Sequence, residues 1–332
     1  MTRAEVRSLW WAIRVPGNEA PYDTAHLRVY YPARRSGTDH ERLTGTVPAV
    51  RAARRYPVAV VLSGVNVGQD SYRHLAVRLC QAGLVAVTCD FVSVLPDGAV
   101  ATGPGIDVTA VVPGGYGEGA TTPLPAALLK ALSDIAAPES GTPLAGLLDL
   151  GRIAWGGHSA GGTLALQSAG FLPGTCAVFA YGAHTRAATM LGWPAGTYLD
   201  VRPGAPVLLA AGGRDGVIAA SADRYGDSAD GKAAEDPVAR TFDEALPDGD
   251  GQHLLVVFPD AGHFALAHPL DPTSARSFLE DGAFDTAYHE AVADVVADFC
   301  AAHLADDPSA RDRLYPSEKH GTYPNGARFR RR

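Results

Sequence analysis

The 332-residue chain has no apolar run approaching the roughly 20 consecutive residues that a bilayer-spanning helix requires. It has little cysteine. Cys80, Cys89, Cys176 and Cys300 are scattered, form no CxxC pair and lie in no Cys/His cluster with ligand spacing, so a zinc site is not expected. Positive charge is also short: 28 Lys+Arg against 36 Asp+Glu leave a net charge of -8, which argues against a general nucleic-acid binder. A secretory signal is missing by pattern. Arg14 interrupts the stretch from Leu9 to Val15 and Pro16-Gly17 ends it, where a signal has a longer apolar core and a small-residue cleavage site. That stretch reads as a first β-strand, and the expectation is a cytoplasmic protein with four reduced, buried thiols. No internal repeat is present.

At 46% hydrophobic and 19% charged, the chain holds enough apolar material for a sizeable core, and its length suits one large α/β domain or two small ones. The 37 glycines and 24 prolines exceed the usual share and imply many shaped turns. Strands are expected over Leu9–Val15 and Ala25–Tyr31, then over Pro57–Ser63 and Leu84–Cys89, whose unbroken apolar character marks strands buried on both faces. Further strands are expected at Arg152–Trp155, Cys176–Tyr181, Val207–Ala211 and Gln252–Phe258. Helices are expected over Ser71–Gln81 (ended by Gly83), Leu124–Ala137, Ala160–Ala169 and Phe284–Leu304, the last with Phe284, Val292, Val295 and Phe299 on one side. This alternation indicates an α/β protein: a mostly parallel sheet with helices on both faces and an N-terminal antiparallel strand pair. Residues 91–123 are Gly- and Pro-rich and read as an irregular, lid-like insertion, and 216–250 as a second insertion. Residues 305–332, with three prolines and a basic end, read as a solvated tail or an arm lying on the surface. The chain thus divides into a domain over 1–304 and a tail.

The strongest signal is Gly157-His158-Ser159-Ala160-Gly161, a G-x-S-x-G motif. An apolar strand runs into it and a helical stretch runs out. In so tight a turn, flanking glycines avoid collisions with strand and helix. The serine hydroxyl then projects from the carboxyl end of the sheet, above free N–H groups of the helix start.

In this motif and its setting the chain resembles the α/β-hydrolases, and more narrowly the branch holding dienelactone-hydrolase-like, chlorophyllase-like and cutinase-like polyester hydrolases. Arg152–Gly162 is similar to that branch's elbow, and Ser63–Leu79 to its oxyanion loop and first helix; the likeness covers residues 24–303. The resemblance implies the α/β-hydrolase fold and a triad in chain order Ser, Asp or Glu, His, each just past a strand. Ser159 is then the nucleophile. Asp215, after Val207–Ala211, is the acid, and His263, after Leu254–Phe258, is the base. Among other aspartates, Asp223, Asp227 and Asp243 follow no suitable strand end, and Asp260 sits too near the histidine except as loop support. The oxyanion donors implied are the backbone N–H groups of Ala160 and Val65. Val65 stands where polyester-cleaving members carry an aromatic residue, which argues against a polyester substrate.

Met190 and Trp193, with Tyr116 and His184, are candidates to line a pocket for an apolar or bulky acyl or alkyl group. His158 reads as packing, His74 as loop support, and His253 and His268 as structural. The expectation is a serine esterase acting on a small-molecule ester or acyl substrate without cofactor, metal, nucleic acid or membrane partner. A thioesterase, amidase, acyltransferase or lactone-forming cyclase using the same triad stays open, as does a non-catalytic ligand-binding member of the fold.

Overall fold

The computed structural model describes residues 5–95, 98–221, 225, 236–269 and 286–332. The chain opens with β1 (Glu5–Arg14) and β2 (Thr24–Ala33), antiparallel over their full length, then a short helix α1 (Asp39–Thr44). There follow β3 (Tyr56–Leu62), α2 (Arg73–Gln81), β4 (Val85–Val94), β5 (Val100–Thr102) and α3 (Leu124–Ala136). β6 (Leu148–His158), α4 (Ala160–Ser168), β7 (Thr175–Tyr181), β8 (Val207–Gly212), α5 (Gly216–Ala220), α6 (Asp236–Arg240) and β9 (Leu254–Phe258) come next. The chain ends with α7 (His289–Leu304), α8 (Pro308–Leu314), β10 (His320–Thr322) and β11 (Arg328–Arg331). The helix expected from Phe284 is described only from a 3₁₀ turn at Thr286–Tyr288 onward; Phe284 lies outside the described residues, while Val292, Val295 and Phe299 are buried. No helix among the described residues is long and apolar enough to cross a membrane.

The strands form one mixed sheet in the order β1-β2-β4-β3-β6-β7-β8-β9-β11-β10. The run from β4 to β9 is parallel, and antiparallel strands flank it at both edges. Alternation within the buried strands sorts side chains to two faces. Ala59 and Val61 of β3 pack in one cluster with α2 and α7, whereas Val58, Val60 and Leu62 pack in another with α3. Both faces are covered, which explains why these strands read as unbroken apolar runs.

Two expectations change. The strand expected at Arg152–Trp155 is longer, because β3 pairs with β6 from Tyr56↔Leu148 to Leu62↔Gly157 across a register shift. The 305–332 segment is not a solvated tail. α8 packs on α7, Phe329 and Ala327 are buried, and β11 extends the sheet beside β9. Its arginines are tied down: Arg330 pairs with Asp243 at 3.0 Å, and Arg332 donates to the carbonyls of Phe242 and Asp243 at 3.0 and 2.6 Å.

From β3 the chain crosses to β4 on one side, and from β6 it crosses to β7 on the other. The carboxyl ends of β3 and β6 therefore open a crevice, the usual ligand position in such sheets.

Candidate active site

β6 delivers Ser159 to this crevice. Its backbone sits at φ 53°, ψ -126°, a region costing a non-glycine residue about 1–3 kcal/mol. The surroundings hold it there. The Ser159 N–H donates to the Tyr181 carbonyl (2.9 Å), and its own carbonyl accepts from Thr163 N–H (3.0 Å) as α4 begins. The flanking glycines are required by space: a Cβ on Gly157 or Gly161 would lie 2.5 or 2.3 Å from the carbonyl oxygen of Leu62.

Asp215 follows β8 and is fully buried. One carboxylate oxygen accepts from Ile218 N–H at 2.8 Å, capping α5, and the other accepts from His263 Nδ1 at 2.7 Å. Since the carboxylate can only accept, Nδ1 carries a proton, and in the neutral ring Nε2 keeps its lone pair. His263 opens a 3₁₀ turn just after β9. Asp260, the loop-support candidate, pairs at 2.7 Å with Arg214, next to Asp215 in sequence, and so links the two loops. Asp243 is held by Arg330, and Asp223 and Asp227 lie outside the described residues.

Ser159 and His263 line one cavity of about 150 Å³, together with Val65, Ala160, His184 and Tyr225. In the loop after β3, Gly64 N–H donates to the Tyr72 hydroxyl (2.9 Å), Asn66 N–H to the Thr102 carbonyl (2.7 Å) and Val67 N–H to the Gly64 carbonyl (3.2 Å). Among the described residues the N–H groups of Val65 and Ala160 have no partner, and both residues border the cavity. The site thus holds two open donors beside the Ser159 hydroxyl and the His263 imidazole. Burial, then the nearby Arg186 charge, lowers the His184 pKa to about 4, so His184 is neutral at pH 7.

A second cavity of about 560 Å³ shares Val65, Ala160, Thr163 and Tyr225 with the first and is walled by apolar side chains, including Leu164, Leu191 and Trp193. Met190 and Trp193 line it as expected; His184 lines the smaller cavity. Tyr116 borders neither of these two cavities. It stands edge-on to Trp193 at 6.3 Å and donates to the Asp200 carbonyl at 2.7 Å, so it supports Trp193 from behind. The 91–123 segment, expected to be irregular, begins as a hairpin of β4 and β5, and Trp193 Nε1 donates to its Val111 carbonyl at 2.7 Å. Residues 96–97 of it, and 222–224 and 226–235 of the second insertion, lie outside the described residues.

Three features escaped the sequence reading. His158 is fully buried but bonded through both ring nitrogens, to Tyr72 at 3.0 Å and to the His263 carbonyl at 2.9 Å. Tyr72 lies inside the expected Ser71–Gln81 helix and in the structure ends the 3₁₀ turn before α2. Gly182, just past β7, lies against the Asp215–His263 pair; its place after a buried strand was the one available signal. His74 stacks edge-on to His268 at 5.7 Å, and His253 Nδ1 accepts from Val207 N–H at 3.1 Å. Among the described residues, no group of three or more His, Cys, Asp or Glu side chains is placed to hold a metal ion.

No protein-family model matches the chain, and no curated protein matches it. Among solved structures it is similar to a ferulic acid esterase from Streptomyces cinnamoneus, at a TM-score of 0.56 and 17% identity over 92% of each chain. That likeness is one of fold.

Proposed function

We propose that the chain is a serine hydrolase of the α/β-hydrolase superfamily, cleaving a carboxylic ester through an acyl-enzyme. The catalytic domain is residues 1–304, with the arm 305–332 packed on it through α8 and β11. The observation that carries the reading is the buried 2.7 Å contact between Asp215 and His263, with Ser159 in a strained turn on the same cavity. With its Nδ1 proton held by Asp215, His263 takes the Ser159 proton through Nε2 as Oγ attacks the ester carbonyl. The N–H groups of Val65 and Ala160 receive the oxyanion, each contributing about 3 kcal/mol of transition-state stabilisation. His263 then returns the proton to the departing alcohol, and water repeats the sequence on the acyl-serine. The larger cavity receives the apolar part of the ester, walled by Met190 and Trp193. The esterase activity named for the fold neighbour agrees with this reading.

The test is hydrolysis of p-nitrophenyl esters by wild type and Ser159→Ala, with fluorophosphonate labelling of both. Turnover and labelling should fall by about 10³-fold or more in the variant. Retained turnover in Ser159→Ala refutes the assignment. A thioesterase, amidase, acyltransferase or cyclase would share the acyl-enzyme and differ in acceptor, which product analysis with competing amine, thiol and alcohol resolves. A pocket that only binds would leave Ser159 unlabelled.

A further inference from the structure

Four loops bear the proposed chemistry, and one buried chain of hydrogen bonds runs through three of them. It starts at Gly64 in the loop after β3, where the N–H donates to the Tyr72 hydroxyl at 2.9 Å. Tyr72 lies 3.0 Å from His158 Nδ1 in the elbow, and His158 Nε2 lies 2.9 Å from the carbonyl oxygen of His263 after β9. Tyr72 and His158 are both inaccessible to solvent.

Direction follows from what each atom is able to do. A carbonyl oxygen only accepts, so His158 Nε2 carries a proton. Burial, reinforced by the neighbouring His263, holds the His158 pKa well below its usual value, so the ring is neutral and Nδ1 accepts. The Tyr72 hydroxyl donates its hydrogen to Nδ1 while its oxygen accepts from Gly64 N–H. Every member is satisfied in one direction only: Gly64 N–H to Tyr72, Tyr72 O–H to His158, His158 N–H to His263. A proton added at Nδ1 would leave the Tyr72 hydroxyl hydrogen without an acceptor in this chain.

We propose that His158 and Tyr72 are positioning residues that set the spacing between the Gly64–Val65 oxyanion loop, Ser159 and His263. The inference rests on the function proposed above. Gly64 adjoins the donor Val65, His158 adjoins Ser159, and the last acceptor is the backbone of His263 itself. The His158 and His263 rings lie 4.7 Å apart, so a neutral His158 also spares His263 a like-charge neighbour when it is protonated in turnover.

The experiment compares wild type, Tyr72→Phe and His158→Gln. Tyr72→Phe keeps the ring and removes the hydroxyl; His158→Gln keeps a donor for the His263 carbonyl and loses the link to Tyr72. Both should lower kcat on p-nitrophenyl esters by about 10- to 100-fold with KM within about twofold, since small misplacements of reacting groups cost rates of this order. Affinity for a boronic acid, which forms the tetrahedral adduct, should fall with kcat. A residue that merely packs would change the melting temperature without this split. Folded variants with kcat within twofold of wild type overturn the proposal. Should either variant fail to fold, the wild-type protein decides by ¹⁵N NMR of the His158 ring: a neutral ring protonated at Nε2 is required, and a proton on Nδ1 at pH 7 overturns the relay. Wild type without Ser159-dependent turnover is a different failure, of the function itself.

Discussion

Gly182 lies so close to His263 that a Cβ added there would sit 3.0 Å from Nδ1, and 3.2 Å from the Asp215 carboxylate oxygen that Nδ1 contacts. The backbone of Gly182 also has φ +57°, where a side chain is disfavoured by about 1–2 kcal/mol. Gly182→Ala is therefore expected to lose about 1–2 kcal/mol of stability and, by pushing the imidazole, at least about tenfold in kcat/KM. Urea unfolding and ester kinetics on the same preparation check both. An alanine variant with full activity would show that the pair tolerates displacement.

Asp215→Asn separates orientation from folding. Asparagine still presents an oxygen to Ile218 N–H, so the cap on α5 is kept. The amide no longer holds His263 in the tautomer that leaves Nε2 free. A drop in kcat of about 10⁴-fold with a little-changed melting temperature is expected.

Trp193→Ala opens one wall of the larger cavity and removes the hydrogen bond to Val111. Each methylene of an acyl chain gains about 0.8 kcal/mol when buried, so the gain in kcat/KM from acetate to octanoate esters should shrink by about tenfold. Equal chain-length profiles in wild type and variant would place the acyl group elsewhere.

Several buried or half-buried histidines make stability pH-dependent. Burial, then Arg186 for His184 and Arg311 for His303, lowers both pKa values from 6.5 to about 4, and His74 and His253 shift the same way. The unfolded chain therefore binds more protons than the native one between these values. Stability is full above pH 6.5 and is lost as pH falls toward 4. Urea midpoints taken at several pH values across this window should fall steadily with pH, and His303→Gln should flatten the slope. A midpoint constant across the window would contradict this.

The C-terminal strand is a stability element. Phe329 is buried and stacks on Tyr323 at 4.6 Å, next to β9, which leads into the His263 loop. Phe329→Ala should cost about 3–5 kcal/mol. Thermal unfolding measures it; a loss under 1 kcal/mol would mean that the hairpin is only loosely attached.

Some features were legible from residue order because they are local. The elbow declares itself through the local spacing of glycines at 157 and 161 around Ser159, although the atoms that exclude a larger residue there belong to Leu62 of β3. The buried strands show as unbroken apolar runs, and helix α4 shows where periodicity changes. The C-terminal hairpin was not legible: Arg328–Arg332 has a charged composition, and only its pairing with β9 reveals that Phe329 points inward.

Sequence alone therefore determined the α/β alternation and the tight turn at Ser159, which show in neighbours a few residues apart, and the resemblance carried by that turn supplied a short list of acids and bases. Tertiary structure decided which of them meet. Asp215 and His263 are 48 residues apart, Tyr72 and His158 are 86, and His158 and the His263 carbonyl are 105. Those contacts are made by strand order and register, which bring the carboxyl ends of β3, β6, β8 and β9 to one crevice, and no local pattern encodes a hydrogen bond across such distances.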